Sequence, residues 1–224
     1  MRPAELTPMR RAIGRRMALS KREAPHFYVA GEIEVDAALA HVRRLSEESG
    51  QRVSLTALLL RATVIALGEH PALNAIWRDD ELLLADEPNV GVAIALDDGL
   101  VAPAVFARDA QDVLGAARAL DDLVARARDG RLRGAEMTEP TFTLSNLGMF
   151  GIGSFIPIVT PPQVAILGVG GTQRVPRYDG EQLVPRSLTS VTVSADHRAL
   201  DGADVARFLT SLKSTIEDPE ELDG

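Results

Sequence analysis

Near the C-terminus an alternating apolar run ends in "SADHRALDG", with His197 at the end of the run and Asp201-Gly202 four residues on. A strand fixes its backbone while a side chain at its end can still project into a cleft. An imidazole with a pKa of about 6.5 is largely neutral at pH 7, so His197 is a candidate general base. Asp201 has a structural reading as N-cap of a last helix, with Asp204 in the first turn. The residues alone leave both readings of this motif open. His and Asp four apart can also share a metal, but no second histidine cluster or cysteine pair completes a coordination shell, so no metal is expected.

Ser145 is the one hydroxyl placed as His197 is, on the last residue of the strand-like "TFTLS" and before a glycine-rich loop. A hydroxyl there either faces a substrate or satisfies the backbone of the turn. Spacing does not pair it with His197. No serine sits in a G-x-S-x-G elbow. "LGVGGTQR" begins like a dinucleotide-binding loop, but its sixth position is Gln173 and a strand pattern follows. Its glycines are therefore read as turn and close-packing residues. His26, His41 and His70 are read as structural or exposed, His26 being the least clear.

Elements must hold these groups in place. Thr7-Pro8 predicts a helix start, and Met9, Ile13 and Met17 recur every four residues with arginines at 10, 11, 15 and 16 between them. That basic face is either solvated or turned to an anionic ligand or an acidic neighbouring subunit. "HFYVAGEIEV" reads as a strand, Asp36 as a helix cap, and "SLTALLLRATVIALGEH" as a buried helix ended by Pro71. Hairpins are expected at Asp79-Asp80, at Asp98-Gly99 between two apolar strands, and at Asp179-Gly180. A helix is expected over 111–129 with Gly130 as C-cap, and core strands at "TFTLSN", "QVAILGVG" and Ser187–Ser194. The irregular alternation predicts an α/β fold, a mixed sheet with helices packed on it in a two-layer sandwich.

The 224 residues suit a single domain over 1–224 with a substantial core. A net charge of -8 argues against nucleic-acid binding, which needs a basic surface. Absence of cysteine removes disulfides, thiolate metal sites and a cysteine nucleophile. "MRPAELTPMRRAIGRRM" has no apolar run for a leader, and the most apolar stretch is interrupted by Arg61 and too short for a bilayer. A cytoplasmic protein without a membrane partner is the expectation.

Five stretches, in order, resemble the catalytic domain of the dihydrolipoyl acyltransferases, the core component of 2-oxo acid dehydrogenase complexes. They are "TPMRRAIGRRM", "APHFYVAGEIEVD", "DDGLVAPAV", "TFTLSNLGMFGIGSFIPIVTPPQVAILGVG" and "SADHRALDG". The last matches the family's H-x-x-x-D-G signature, with Asp196 and Arg198 also in the expected form. The resemblance implies a chloramphenicol acetyltransferase-like fold and transfer of a short acyl group, acetyl by the look of "SNLGMFG", between dihydrolipoamide and coenzyme A. It implies His197 as base and Ser145 as oxyanion donor, contributed by neighbouring subunits of a homotrimer. Asp201 then holds the histidine loop, through an arginine near Arg15 or Arg16. A lipoyl domain, a decarboxylase and a dihydrolipoyl dehydrogenase are the implied partners. Two other readings stand beside it: a core-forming scaffold without turnover, and an acyltransferase with another acceptor.

Three departures qualify the resemblance. Glu139-Pro140 replace a usual Gly-Gly before "TFT". The chain carries no D-K-A lipoylation site and no Ala/Pro-rich linker, so no lipoyl or subunit-binding domain is expected in it. In "EDPEELDG", Leu222 is the only apolar residue after Ile216 where relatives carry a leucine-rich plug. A single leucine, worth about 1.5–3 kcal/mol, suggests an assembly that stops at the trimer.

Overall fold

The computed structural model describes residues 5–223; residues 1–4, at the head of the basic N-terminal stretch, and the final residue lie outside the described residues. Helix α1, Pro8–Glu23, begins as expected: the Thr7 hydroxyl accepts the Arg10 N–H at 3.1 Å and Pro8 occupies the first turn. Strand β1, His26–Glu34, leads into α2, Asp36–Ser49. Asp36 does not cap that helix. Val35 holds the cap position without a side-chain bond, and the Asp36 carboxylate accepts the Ser187 N–H at 2.7 Å and its hydroxyl at 2.8 Å. A strand neighbour distant in sequence took the carboxylate that local spacing assigned to the helix end.

Helix α3, Leu55–Glu69, is capped by Ser54 on the Ala57 N–H and is buried on most sides, as its nearly unbroken apolar composition requires. Strands β2, Ala75–Arg78, and β3, Glu81–Leu84, form a hairpin whose turn residues Asp79 and Asp80 have φ of 53° and 60°. The next apolar region holds four short strands where two were expected. These are β4, Asn89–Val92, β5, Ile94–Leu96, β6, Gly99–Val101, and β7, Ala104–Phe106. β5 and β6 pair as a separate ribbon, while β4 and β7 join the main sheet. Pro103, with no N–H to give, interrupts the ladder between β6 and β7.

Helix α4, Val113–Arg128, starts on an Asp112 cap and is followed by Gly130 at φ 66°. After the short α5, Gly134–Thr138, come β8, Phe142–Asn146, β9, Ala165–Asp179, β10, Gln182–Asp196, and α6, Gly202–Glu217. The six-stranded sheet runs β1-β10-β9-β8-β4-β7. β8 lies parallel to both β4 and β9, and the other pairs are antiparallel, so the sheet is mixed.

Strand alternation divides the sheet into two faces. Phe142 and Leu144 of β8, Leu167 and Val169 of β9, and Val191 and Val193 of β10 join the core formed with α2, α3, α4 and α6. Deleting a side chain such as Phe142 or Phe208, both fully buried, costs about 3–5 kcal/mol. The opposite face is polar: Thr143 and Ser145 of β8, and Thr192, Ser194 and Asp196 of β10, all buried. Leu222 is fully buried in the chain's own core, with its carbonyl near the Arg61 guanidinium, so it does not present a free plug. Among the described residues no helix is long and apolar enough to cross a membrane.

Candidate active site

The polar face of the sheet is roofed by α1 and by the loop between β8 and β9. Glycine makes the roof possible: a Cβ on Gly170 would stand 2.0 Å from the Gly153 carbonyl oxygen, and one on Gly168 would press on Pro157 at 2.9 Å. Side chains then pin the loop. Ser194 donates to the Pro157 carbonyl and Ser20 to the Val159 carbonyl, each at 2.6 Å, and Arg16 donates to the Pro161 carbonyl at 3.0 Å. His26 holds it from β1. Its Nδ1–H donates to the Ala24 carbonyl at 2.8 Å and its Nε2 accepts the Val159 N–H at 3.1 Å, a pattern that selects the neutral tautomer. His26 is thereby a structural histidine.

Between roof and sheet lies a largely apolar cavity of about 530 Å³. Met9, Ile13 and Met17 of α1 line it together with Phe155, Pro157 and Ile166. The four-residue spacing of Met9, Ile13 and Met17 thus marks the cavity-facing side of α1, and Arg10, Arg11 and Arg15 lie on its other sides. Ser145 opens onto this cavity, 8% exposed, on the penultimate residue of β8 and not its last. Two hydroxyls earlier in the same stretch are committed: Thr143 donates to Gln163 at 2.6 Å and Thr141 to Asn74 at 2.6 Å. Among the described residues the Ser145 hydroxyl has no such partner, which leaves it available to a molecule in the cavity. Gln163, unremarked in the sequence, aims its carbonyl at Thr143 and its amide at the Pro140 carbonyl, so it shapes the cavity floor.

His197 follows the last residue of β10 and is exposed. Its backbone N–H donates to the Pro25 carbonyl at 2.9 Å, and its ring packs on Phe27 with centroids 4.5 Å apart. Phe27 belongs to the helix side of the sheet. The chain does not bring His197 and Ser145 together. Ser145 pairs with Gly168 and Gly168 with Thr192, so His197 lies five residues further along and two strands across. At sheet spacings that is roughly 17 Å along the strands and roughly 10 Å across them, far outside hydrogen-bond reach.

Asp201 caps α6. Its carboxylate accepts the N–H groups of Ala203 at 2.8 Å and Asp204 at 3.0 Å, while Asp204 returns a bond to the Asp201 N–H. The backbone N–H of Asp204, with that of Ala203, holds the Asp201 carboxyl below the usual carboxylate range. The expected contact to Arg15 or Arg16 is absent within the chain. Asp201 is exposed on the helix end, and Arg16 is spent on the loop. No group of three or more His, Asp or Glu side chains among the described residues is arranged to hold a metal ion.

A family model described as 2-oxoacid dehydrogenases acyltransferase (catalytic domain) matches residues 2–223. The dihydrolipoyllysine-residue acetyltransferase component of the pyruvate dehydrogenase complex of Zymomonas mobilis is 33% identical over 218 residues, covering 96% of this chain and 50% of that protein. The chain thus spans about half the length of the curated relatives it matches. The structure superposes on an Azotobacter vinelandii dihydrolipoamide acetyltransferase with a TM-score of 0.92 and 28% identity, covering 99% of this chain and 93% of that one. In that enzyme a serine, a histidine and an asparagine were investigated for their roles in the catalytic mechanism, and they are spaced as Ser145, His197 and Asp201 are here. A chloramphenicol acetyltransferase shares the fold, at a TM-score of 0.58 and 14% identity over 90% of this chain and 94% of that one.

Proposed function

The chain belongs to the acyltransferase (catalytic domain) family of the 2-oxoacid dehydrogenases, and from that premise we propose that it moves an acetyl group between dihydrolipoamide and coenzyme A at a site shared by two copies in a homotrimer. The observation that carries the reading is a pair of unengaged groups on separate parts of one chain. A hydroxyl without a partner among the described residues faces an apolar cavity, and an exposed imidazole sits far from it. Each is half of an acyl-transfer site, and a second copy supplies the missing half. Met149, Phe150 and Ile156, exposed on the loop beside the cavity, give that copy an apolar surface to cover.

The reaction suits these residue types. An imidazole nitrogen of His197 takes the proton of the coenzyme A thiol as the sulfur attacks the thioester carbon of acetyl-dihydrolipoamide. The carbonyl oxygen becomes an oxyanion and accepts the Ser145 O–H. Collapse breaks the bond to the dihydrolipoamide sulfur, which leaves with the proton from His197. Full transfer of a proton from an ordinary thiol to an ordinary imidazole costs about 2.7 kcal/mol. Proton removal concerted with attack lowers that cost, and an oxyanion donor is worth roughly 10²–10³ in rate. The apolar cavity keeps competing water away from the thioester. A lipoyl domain is the carrier of dihydrolipoamide in this reading, with decarboxylase and dihydrolipoyl dehydrogenase components as further partners.

Conversion of acetyl-CoA and dihydrolipoamide to free coenzyme A and acetyl-dihydrolipoamide, followed by chromatographic separation because the total thiol count does not change, tests the proposal. Wild type turns over, His197→Ala lowers kcat by about 10²-fold or more, and Ser145→Ala lowers it by about 10²–10³. A His197→Ala variant as fast as wild type rejects the base. Turnover of an amine or alcohol acceptor in place of dihydrolipoamide rejects the acceptor while keeping the site.

A further inference from the structure

His197 is bracketed by a salt bridge. Asp196, the last residue of β10, is 2% exposed. Its carboxylate accepts Arg198 Nη2 at 2.6 Å, Arg198 Nε at 3.1 Å from each oxygen, and the Arg198 backbone N–H at 3.0 Å. The two residues flanking His197 are thus bound to each other by side chain and backbone together. The Asp196 carbonyl also accepts the N–H groups of Ala199 and Leu200, at 3.0 and 3.1 Å, and its own N–H donates to the Val164 carbonyl at 2.8 Å. On its outer side the Arg198 guanidinium lies 5.0 Å from the ring centroid of Trp77. The Trp77 backbone is anchored to the loop between β8 and β9, its main-chain N–H donating to the Pro162 carbonyl at 2.8 Å.

We propose that the Asp196–Arg198 fork, braced by Trp77, positions His197: it closes the chain across the histidine so that the imidazole has one backbone from which to meet the partner copy's cavity. Arg198 is then a positioning residue and not a catalytic one, and the inference rests on His197 being the base. The chemistry singles out arginine. A planar guanidinium meets both carboxylate oxygens and stacks on an indole at once, whereas a lysine ammonium offers only a point charge. The buried carboxylate demands compensation in any case. What compensation alone does not explain is a partner two residues away that ties together the two residues flanking His197 and also lies against Trp77.

Trp77 is the only tryptophan in the chain, so its emission reports on the stack without any turnover. The test compares Arg198→Lys and Arg198→Met with wild type, each also in the His197→Ala background. Loss of the fork is expected to shift Trp77 emission and to lower kcat by about 10- to 100-fold, since small misplacements of a reacting group cost that much. KM for both thiols stays within about twofold, and in the His197→Ala background the same change costs less than about twofold, because coupled residues are non-additive. Arg198→Lys keeps a charge for Asp196 and serves if Arg198→Met does not fold. It too is expected to lose activity at an unchanged thermal midpoint. Two results overturn the proposal: kcat near wild type once the emission shows the stack is gone, or an equal loss in both backgrounds. Should His197→Ala itself prove fully active, the base assignment fails instead. The His197 ring resonance, assigned by its absence in His197→Ala, then decides the clamp: unmoved in Arg198→Lys, it overturns the proposal, and displaced, it upholds it.

Discussion

At the corner of α4 and α5, Arg126 Nη1 lies 2.7 Å from Glu136 Oε2, and at the end of β10, Arg198 Nη2 lies 2.6 Å from Asp196 Oδ2. In both pairs the carboxylate is buried and several donors meet it. Their surroundings differ. Arg126 comes from one helix and Glu136 from another, Glu136 also accepts the Arg133 N–H at 2.7 Å, and Arg126 reaches Asp122 at 2.8 Å. Every member is occupied, and no reactive side chain lies between them. Asp196 and Arg198 are two residues apart with His197 between, the guanidinium lies over Trp77, and a third of the Arg198 side chain is open. A pair that spans two elements ties the fold. A pair that spans one residue fixes that residue. The same interaction acquires its role from what it encloses.

The contrast can be broken most forcefully at the corner. Arg126→Met leaves Glu136 buried without its ion partner, and removal of one member of a buried pair costs about 3–5 kcal/mol. Urea unfolding should show that loss, while acetyl transfer per folded molecule stays at the wild-type rate. A drop in turnover with intact stability would merge the two roles.

A smaller effect follows from protonation. The Arg126 guanidinium beside it, aided by the Arg133 N–H, holds the Glu136 carboxyl below its ordinary range against the opposing effect of burial. A lowered folded-state pKa means that the contribution is complete above the unfolded value, about 4.3, and is lost as pH falls through the folded one. Wild type should therefore exceed Glu136→Gln by about 1.5–3 kcal/mol at pH 7, and that margin should shrink below about pH 4.3. Urea midpoints at pH 7, 5 and 3.5 check the sign; a margin that widens on acidification contradicts it.

Smallest is the stack. Trp77→Leu keeps an apolar side chain but removes the π face, for about 0.5–1 kcal/mol. Thermal denaturation should register it faintly, and kcat should fall less than in Arg198→Met, because the fork to Asp196 survives. A larger loss than Arg198→Met would make Trp77, and not the fork, the principal brace.

Much of this was legible in the residues. The mixed sheet, the buried α3, the hairpin at Asp79-Asp80, the Thr7 cap and the Asp201 cap depend on periods and cap chemistry acting over a few residues, and the sequence displays them directly. Readings failed where a distant strand competed. Ser187 drew Asp36 away from its helix end, and the two expected strands became four because the Ala93 N–H went to the Leu144 carbonyl of β8 and Pro103 interrupted the ladder between β6 and β7. The cavity was half legible: Met9, Ile13 and Met17 form a stripe, but only the folded chain shows that the stripe faces Ser145.

The sequence by itself determined the types of group available, an imidazole at a strand end and a hydroxyl before a glycine-rich loop, and the local elements that carry them. Only the tertiary structure decided that one chain keeps these two apart, that the Ser145 hydroxyl has no partner among the described residues, and that the two residues flanking His197 form an ion pair. The physical reason is one of range. Caps and turns depend on neighbours a few residues away, whereas strand pairing and the docking of a loop onto a sheet join residues remote in the chain, and no spacing along it records which of them will meet.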